Sequence, residues 1–507
     1  MSTCPITLLP SGRVLKVPAG TPLADALREA GVPIPLPCGG HGLCGKCGSL
    51  RITGGNKPES LLACRTTVSE AMTHIRPPKT ESPPLVEPEI PAAPFPPDPA
   101  AGCAIDLGTT TVACTVWTLS DRRRRLTLQF DNPQRSAGDD VLSRISAIER
   151  APGLLDHLRD IVRAAIASAL KTGCGRCGIA PESISRYTVA GNPTMQQIFL
   201  GISPVPLGKS PFTPAFTAPQ TRTIPEMGLP GSSDGRVTVF PQCGGFIGGD
   251  TFAGLLAVTA TEPSEPLLLI DLGTNAELAL VRGGRILATS AAAGPAIEGA
   301  TLSAGTALRP GAITHARFRD GRLLFETHRD ETPSGICGSG YIDLLAEALR
   351  HGWLTPDGAL PAHDRLFISR EGFSGTKPGG EALVITQQDI RQFQLAKAAI
   401  ATGVKQILDK ARLQPEDIRT WAVAGGLGTS LTPANAQALG LLLPFPADRY
   451  LAPGNTALLG AEQLLLHPES EALLTTLHRN TENFNLAETP DFPDRFVTAI
   501  PFEAFGS

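Results

Sequence analysis

The first 76 residues begin with two short runs rich in apolar and β-branched side chains, followed by one amphipathic stretch. The runs 4–9 and 14–17 flank Pro10-Ser11-Gly12, a pattern that predicts a β-hairpin. Between Thr21 and Gly31, apolar residues recur at helical spacing after a capping threonine and before a terminating glycine, so we predict a helix there. This segment therefore predicts a small α+β unit.

From residue 102 onward, short β-rich apolar runs alternate with longer stretches of helical periodicity. The apolar runs include 103–105, 112–117, 267–270 and 421–423, and the helical stretches include 154–170, 342–350 and 389–411. Such alternation is typical of an α/β fold. We therefore predict that the body of the chain, and the protein overall, is α/β.

One strand–turn segment occurs twice in this body. Ala104-Ile105-Asp106-Leu107-Gly108-Thr109-Thr110 returns 165 residues later as Leu269-Ile270-Asp271-Leu272-Gly273-Thr274-Asn275. Internal similarity of this kind indicates a duplicated structural unit. We therefore predict two similar lobes that face each other.

A proline-rich segment separates the two parts of the chain. Ten prolines fall between Pro77 and Pro99 with almost no periodic apolar pattern, which predicts an extended, semi-rigid linker. The expected organisation is a first domain at 1–76, a linker at 77–101 and a main domain at 102–507. Within the main domain, we expect lobe I at about 102–260 plus 455–507 and lobe II at about 261–454.

Composition and charge exclude several classes of partner. The 507 residues carry a formal net charge of −4 and no long basic stripe, which argues against nucleic acid. We find neither a secretory signal pattern nor a run of about 18 apolar residues, so we expect a cytoplasmic protein without a membrane partner. Eleven cysteines in a compartment that keeps thiols reduced indicate metal binding rather than disulfides.

Four cysteines carry the strongest chemical signal. Cys38, Cys44 and Cys47 lie within ten residues that also contain four glycines, and Cys64 follows in a separate segment. Glycine lets a loop fold tightly enough for several thiolates to converge, so we predict a [2Fe–2S] cluster ligated by these four residues. A zinc site is the competing interpretation, although zinc loops favour two Cys-x2-Cys pairs.

Other residues of metal-binding type receive structural interpretations. His41 is interpreted as an exposed loop residue, because four cysteines are already available. Cys174 and Cys177 form a Cys-x2-Cys pair without a second pair nearby, and we interpret them as part of a surface turn. The other cysteines are interpreted as small packing residues, namely Cys4, Cys103, Cys114, Cys243 and Cys337.

Each copy of the repeated segment predicts a phosphate-binding turn between two strands. Asp106 and Asp271 end their strands, where a carboxylate can hold Mg²⁺ directly or through water. Backbone N–H groups and side chains of the turns can donate hydrogen bonds to phosphates, and the residues concerned are Gly108, Thr109, Thr110, Gly273, Thr274 and Asn275. Two copies are much stronger evidence for a nucleotide site than one.

These motifs, in this order, resemble the actin-like ATPase superfamily, whose fold is two-lobed and ribonuclease H-like. The resemblance implies that 244–250 is the first connecting segment, with Asp250 in the catalytic site, and that 453–455 belongs to the second. Residues Gly425, Gly426 and Gly428 resemble the adenosine-binding loop, although Leu427 stands where an aromatic residue is expected. The implied ligands are ATP and Mg²⁺.

More specifically, the chain resembles reductive activators of corrinoid proteins, which join a β-grasp [2Fe–2S] ferredoxin domain to an actin-like ATPase domain. The segments that carry this resemblance are 189–195, 290–299, 335–340 and 394–400. It implies ATP-dependent transfer of one electron to cob(II)alamin, which regenerates cob(I)alamin. The implied partners are a corrinoid protein or cobalamin-dependent methyltransferase and an upstream electron donor; a homodimer stays open.

Longer members of this family contain a middle domain between the two units. Because the linker here meets Gly102 directly, we expect a short form without that domain.

Three alternatives to this function remain open from the sequence. One is an activator of radical dehydratases, which normally places its cluster between two subunits. Another is a small-molecule kinase with an accessory redox sensor. The third is an iron–sulfur electron carrier whose actin-like domain binds nucleotide only for regulation.

Overall fold

The structure is a computed structural model, and it describes most of the chain. The described residues are 3–9, 13–30, 32, 34, 47–52, 59–69, 72, 74–77, 100–259, 265–299, 301–361, 364–369, 372–374 and 382–503. Nearly all of the predicted linker, 77–101, lies outside them. Within these ranges, no helix combines the length and the apolar character needed to cross a membrane.

The N-terminal unit is a mixed five-stranded sheet with one short helix. Its elements are β1 Thr3–Leu8, β2 Arg13–Pro18, α1 Leu23–Glu29, β3 Gly48–Ile52, β4 Glu59–Leu62 and β5 His74–Arg76. The strand order is β2-β1-β5-β3-β4, with β1 and β2 antiparallel as the predicted hairpin requires. Apolar side chains of α1, among them Leu23 and Leu27, pack on Ile6, Leu8 and Ile75 of the sheet.

The body of the chain is α/β, as predicted. Its strands are β6 Ala101–Leu107, β7 Thr111–Thr118, β8 Arg123–Asp131, β9 Ile184–Gly191, β10 Gln220–Thr223, β11 Arg236–Val239, β12 Leu267–Leu272, β13 Ala276–Arg282, β14 Arg285–Ala291, β15 Ala312–Arg319, β16 Arg322–Thr327, β17 Gly335–Ile336, β18 Arg365–Ser369, β19 Gly372–Ser374, β20 Leu383–Thr386, β21 Thr420–Ala424, β22 Tyr450–Gly454 and β23 Thr481–Asn483.

The helices of the body cover the stretches in which helical periodicity was found and extend them by a few residues. They are α2 Val141–Arg150, α3 Leu154–Arg176, α4 Pro193–Leu200, α5 Ile224–Met227, α6 Gly249–Val258, α7 Gly338–Arg350, α8 Gln387–Ala411, α9 Gly425–Gly428, α10 Pro433–Ala438, α11 Thr456–Leu466, α12 Ser470–Arg479 and α13 Phe492–Thr498.

Two six-stranded sheets share one topology over five of their strands, which matches the sequence repeat. The first has the order β10-β11-β9-β6-β7-β8 and the second β22-β21-β12-β13-β14-β23. In each sheet three consecutive strands form an antiparallel meander, and a later strand pairs parallel with the first of them. The repeated Asp-Leu-Gly-Thr segments therefore occupy equivalent turns, β6–β7 and β12–β13.

The helices α6 and α11 lie between the two sheets and join them. Helix α11 packs on β6 and β9 of the first sheet, and α6 packs on β12 and β13 of the second. Their apolar side chains share one core with Ala104 and Ala190 from one sheet and Leu269 and Ala422 from the other. The opposite face of each sheet is covered by its own helices, α3 and α4 in the first lobe and α8 in the second.

The C-terminal segment divides between the lobes, which corrects the expectation that all of 455–507 belongs to lobe I. Only α11 lies on the first sheet. Strand β23 pairs with β14 of the second sheet, and α13 contacts α8 of the second lobe. The edge of β14 is open to pairing with a short strand, a tertiary feature that hydrophobic periodicity does not reveal.

The Cys174–Cys177 pair is not a surface turn, and this expectation was wrong. Helix α3 continues through Arg176, so Cys174 lies inside the helix and is fully buried, while Cys177 is half-buried at its C-terminal end. Burial raises the pKa of the Cys174 thiol to about 12, with smaller contributions from Cys177 and Glu182. A thiol with so high a pKa is a poor nucleophile and acts here as a packing residue.

The crossing of α6 and α11 provides a test of this architecture. A methyl group added at Gly460 of α11 would lie 1.9 Å from the carbonyl oxygen of Ala253 in α6, so the helices would have to move apart. We expect Gly460→Ala to destabilise the body by about 2 kcal/mol or more, despite the better helix propensity of alanine. Chemical unfolding followed by circular dichroism measures the effect.

Gly175→Ala is the matched control, because Gly175 also lies within a helix and has no atom within 4 Å of an added methyl group. This variant should be as stable as the unaltered chain or slightly more stable. Equal stability of both variants would contradict the close crossing of α6 and α11.

Candidate functional site

The thiols of Cys47 and Cys64 meet at one end of the N-terminal sheet. Cys47 directly precedes β3, and Cys64 lies in the short 3-10 turn Ala63–Arg65 that follows β4. Pairing of Gly48 with Leu62 holds these two positions side by side. The Sγ atoms lie 3.2 Å apart, well beyond the roughly 2.05 Å of a disulfide bond.

These two thiols fit half of the predicted cluster site. Cys38 and Cys44, the other two predicted ligands, lie outside the described residues. In the part of the chain that the structure describes, no group of three or more His, Cys, Asp or Glu side chains could hold a metal ion. A converging pair of cysteines that form no disulfide is part of the donor set that an iron–sulfur cluster requires, and further thiolates must complete it.

Both aspartates of the repeated turns lie on the sheet faces that are turned toward α6 and α11. Side chains alternate between the faces of a strand, so Asp106 shares a face with Ala104, and Asp271 shares one with Leu269. Ala104 and Leu269 belong to the core around the two helices. The two turns therefore direct their carboxylates into the same space between the lobes.

Residues at the N-terminal ends of the two helices complete this space. Asp250 lies in the first turn of α6, where its Oδ1 accepts a hydrogen bond of 2.7 Å from the Thr251 N–H. Asn455 caps α11, and its Nδ2 donates to Asp106 Oδ2 at 2.7 Å. Both helices thus point their positive dipole ends at the aspartates, an arrangement that suits anions such as phosphate.

Burial raises the pKa of all three aspartates in this space, and neighbouring carboxylates raise those of Asp250 and Asp271 further. Burial raises the pKa of Asp106 to about 6, although the hydrogen bond from Asn455 lowers it. Burial and the neighbouring Asp106 raise the pKa of Asp250 to about 7. Burial, Asp250 and Asp106 raise the pKa of Asp271 to about 8. Carboxyls that are crowded together in this way bind a divalent cation readily, because the cation removes their mutual repulsion.

Two glutamates belong to the same cluster, and the sequence pattern did not single them out. Glu277 of β13 has a pKa well above its usual range because of burial and then of Asp250 and Asp271. Burial also raises the pKa of Glu298, which accepts a hydrogen bond of 3.1 Å from the Thr274 hydroxyl. The sequence could have indicated Glu277, because it is a charged residue inside the apolar run of β13. No local pattern indicates Glu298, because it approaches the other carboxylates only through the fold.

The first turn is tightly constrained. A methyl group at Gly108 would lie 2.6 Å from the carbonyl oxygen of Thr111, so only glycine fits there. The Thr109 hydroxyl accepts a hydrogen bond of 2.8 Å from Asn192, the residue that caps α4, and so keeps its own proton for another acceptor. Thr110 follows at the tip, where its carbonyl accepts from the N–H of Asn132 at 2.9 Å.

The second turn faces the first lobe. The N–H of Gly273 donates to the Asn275 carbonyl at 3.0 Å, which closes the turn. Asn275 lines a small cavity whose other walls come from the first lobe, among them Leu142, Asn192 and Phe246. The two predicted phosphate turns therefore belong to one site between the lobes.

The predicted adenosine loop lies against the second turn. Gly425 has a φ of 87°, and a methyl group there would lie 2.8 Å from Asp271 Oδ1. Gly428 is equally restricted, because its methyl group would lie 2.4 Å from the Val423 carbonyl oxygen, whereas Gly426 has open space around it. Leu427 is buried and contacts the start of α7 at Gly338. Three glycines thus bring the backbone close to the carboxylate cluster and leave one open side.

Three family models match the chain, and together they span nearly all of it. The model of the 2Fe-2S iron-sulfur cluster binding domain matches residues 6–69. The model of the RACo middle region matches residues 101–262, and that of the C-terminal domain of RACo, the ASKHA domain, matches residues 265–505.

Known proteins with the same organisation are similar to this chain. The corrinoid activation enzyme RamQ of Eubacterium limosum is 31% identical over 420 residues, which cover 80% of this chain and 70% of that protein. The [Co(II) methylated amine-specific corrinoid protein] reductase of Methanosarcina barkeri is 30% identical over 256 residues, or 46% of this chain and 45% of that protein. A solved structure described as a reductive activator for corrinoid, iron-sulfur protein aligns with a TM-score of 0.73 and 25% identity, covering 99% of this chain and 98% of that chain.

Fold and comparisons together define a ferredoxin-type unit followed by an actin-like ASKHA domain. Within this class, the chain belongs to the family of reductive activators of corrinoid proteins.

The expectation of a short form without the middle domain was wrong. Residues 101–262 match the middle region of the family, so the segment that we expected to be lobe I of the ATPase is that region. The reason for the error is physical. This region contains its own Asp-Leu-Gly-Thr turn and repeats the sheet topology of the C-terminal domain, so its sequence pattern is that of a first lobe.

The thiol pair generates a direct test of the cluster site. We expect Cys47→Ser to remove the visible absorbance of the purified protein and to lower iron and sulfide far below about two of each per chain, because a [2Fe–2S] cluster needs four thiolates. Absorbance, iron and acid-labile sulfide measure the change. Cys177→Ser is the control, since Cys177 lies on α3 far along the chain, and it should keep the cluster. Zinc in place of iron in the unaltered protein would contradict the assignment.

Proposed function

We propose that this chain is an ATP-dependent reductive activator of a corrinoid protein. In the proposed reaction, cobalt(II) on the partner gains one electron and becomes cobalt(I), an upstream low-potential protein donor loses that electron, and ATP and water give ADP and inorganic phosphate. The observation that carries the proposal is the combination of a converging thiol pair with a carboxylate cluster between two phosphate turns, in a member of this family.

The proposed cluster ligands are Cys38, Cys44, Cys47 and Cys64. When bound, a [2Fe–2S] cluster supplies a one-electron carrier of low potential, about −400 mV in plant-type ferredoxins. The described residues of this unit hold Cys47 in the buried interior and leave Cys64 half-buried. This placement keeps one side of the site accessible for electron transfer.

The proposed Mg²⁺ site lies among Asp106, Asp250 and Asp271, which would hold the ion through water and together with the nucleotide phosphates, because the described carboxylates by themselves form no group of three that could hold a metal ion. Mg²⁺ is usually held by one or two carboxylates together with waters and substrate phosphates. A site of this type is complete only when the nucleotide is present, which agrees with carboxyl pKa values raised by burial and mutual repulsion. The turns at 108–110 and 273–275 would hold the phosphates.

The proposed adenosine site is formed by Gly425, Gly426 and Gly428. Gly426 has open space on one side, and the neighbouring Leu427 is buried in the core, so no aromatic ring stands at this position. An ATP molecule bound between this loop and the turns would touch both lobes. Its binding and hydrolysis would therefore favour different lobe arrangements, a hinge motion of the kind that nucleotide enzymes use.

The remaining parts of the chain have proposed roles that follow from this reaction. Residues 1–76 carry the electron, residues 77–101 tether that unit, and residues 102–507 bind the nucleotide. The partner is a corrinoid protein or a cobalamin-dependent methyltransferase. A homodimer and a cytoplasmic location stay predictions.

Removal of a metal-binding carboxylate tests the nucleotide site. We expect Asp106→Ala and Asp271→Ala each to lower Mg²⁺-dependent ATP hydrolysis by about 100-fold or more, because a metal-positioning carboxylate contributes several kcal/mol to transition-state stabilisation. Phosphate release measures the rate, and the visible spectrum should not change. Asp156→Ala on the exposed face of α3 is the control. Undiminished hydrolysis in both site variants would show that the site lies elsewhere.

The coupling of ATP to electron transfer has its own test. Given a partner loaded with cobalt(II) corrinoid, the chemically reduced protein should form cobalt(I) only when ATP and Mg²⁺ are present. The family resemblance implies an acceptor more negative than about −400 mV, and every 59 mV or so of deficit lowers the reduced fraction tenfold. The corrinoid absorbance reports the reaction, and Asp271→Ala serves as the uncoupled control. Equal reduction of the corrinoid with and without ATP would indicate that the protein is an electron carrier and not an activator.

A further inference from the structure

The segment 132–144, which follows β8 and includes the start of α2, lies directly behind the first turn. Three successive carbonyl groups of the turn accept hydrogen bonds from it. The carbonyl of Gly108 accepts from Asn132 Nδ2 at 2.8 Å, that of Thr109 from Arg144 Nη2, and that of Thr110 from the Asn132 N–H at 2.9 Å.

These bonds determine which way the N–H groups of the turn point. In a planar trans peptide, the carbonyl of one residue and the N–H of the next point in opposite directions. With the carbonyls of Gly108, Thr109 and Thr110 directed toward segment 132–144, the following N–H groups are directed away from it. A run of N–H groups held on one side of a turn is the arrangement that binds phosphate oxygens.

Arg144 is the charged member of this support, and it has no exposed surface. Its other hydrogen bonds go to neutral acceptors, with Nε donating to the Gly138 carbonyl at 2.8 Å and Nη1 reaching Gln134 Oε1 at 3.3 Å and Met195 Sδ at 2.9 Å. A buried guanidinium normally pairs with a carboxylate. Here the hydrogen-bond acceptors of Arg144 are carbonyls, an amide and a thioether.

Asp139 and Asp140 act on Arg144 only through their charges, because their hydrogen bonds go to other groups. Asp139 accepts from Arg135 Nε at 2.5 Å, and Asp140 accepts from the N–H of Ser143 at 2.8 Å as the cap of α2. The positive charge of Arg144 therefore stays incompletely balanced by its hydrogen-bond partners. Burial lowers the pKa of the Arg144 guanidinium to about 9, although the charges of Asp139 and Asp140 raise it.

We propose that Arg144 is a positioning residue for the phosphates of the bound nucleotide. It holds the Thr109 carbonyl away from the ligand and places a buried positive charge behind the turn, where it attracts anionic phosphates through the peptide dipoles. The role rests on the proposed function, because it needs the turn at 108–110 to bind phosphate. It concerns the triphosphate and diphosphate groups and not the adenosine.

Arg163 provides a matched control. It too is an arginine that donates to a backbone carbonyl, with Nε at 2.9 Å from the Phe199 oxygen, and burial lowers its pKa to about 10. It lies on α3, on the other side of the first sheet from the carboxylate cluster. Arg163 is half-buried, so loss of its side chain removes part of the packing of α3 without touching the turn.

The test compares nucleotides that differ only in their phosphates. Titration calorimetry with the full chain and Mg²⁺ gives the Kd for ADP, for a non-hydrolysable ATP analogue and for adenosine. We expect Arg144→Met to weaken binding of ADP and of the analogue by about tenfold or more, with adenosine unchanged, and Arg144→Lys to recover part of the loss. Arg163→Met should leave all three affinities unchanged.

Several outcomes would overturn the proposal. An equal loss of adenosine and ADP binding in Arg144→Met would mean that Arg144 only supports the fold, and no loss of either would mean that it has no role. If Arg144→Met does not fold, Arg144→Lys carries the test, and an unchanged ratio of adenosine to ADP affinity in that variant would overturn the proposal. If the unaltered chain binds neither ADP nor the analogue, the proposed nucleotide site itself is wrong.

Discussion

The burial of several carboxyl groups in one space, to which their repulsion adds, is the constraint on which this structure depends. Asp106, Asp250 and Asp271 come from two sheets and one helix; burial raises the pKa of all three, and Asp106 raises those of the other two further. A fold keeps such a cluster only if its backbone is held from several directions. Three features hold the backbone here, namely the glycines of both turns, the caps of α6 and α11, and the loop at Gly425. A cation and a polyphosphate would relieve the repulsion and join the lobes at the same time.

Helices α6 and α11 connect the carboxylate site to the interface between the two sheets. Each helix begins beside the carboxylates and continues between the two sheets, and they cross where Gly460 meets the backbone of α6. A packed interface of this kind changes between discrete arrangements more easily than it deforms continuously. A change in the ligand at the helix N-termini can therefore alter the relative position of the lobes, and this is the step that electron transfer to a partner would need.

The middle region shows how a repeat can be misassigned. Its sheet has the same meander and the same parallel fourth strand as the C-terminal domain, and the first phosphate turn lies in it. Hydrophobic periodicity and motif order are the same for a first lobe and for a separate family region. The sequence pattern alone therefore predicted a short form without a middle domain. The match of residues 101–262 to the RACo middle region decided between the two.

The sequence by itself determined the local part of this protein. The apolar runs of β6 and β12 put Asp106 and Asp271 at strand ends, the Asp-Leu-Gly-Thr repeat marked the turns, and the cysteine spacing indicated a cluster. Each of these features depends on residues that are close together in the chain. Only the tertiary structure decided that Glu277 and Glu298 join the carboxylates, that Asn455 bonds Asp106, that Arg144 supports the first turn and that β23 pairs with the second sheet. These contacts link residues distant in sequence, and their existence depends on packing that no local pattern encodes.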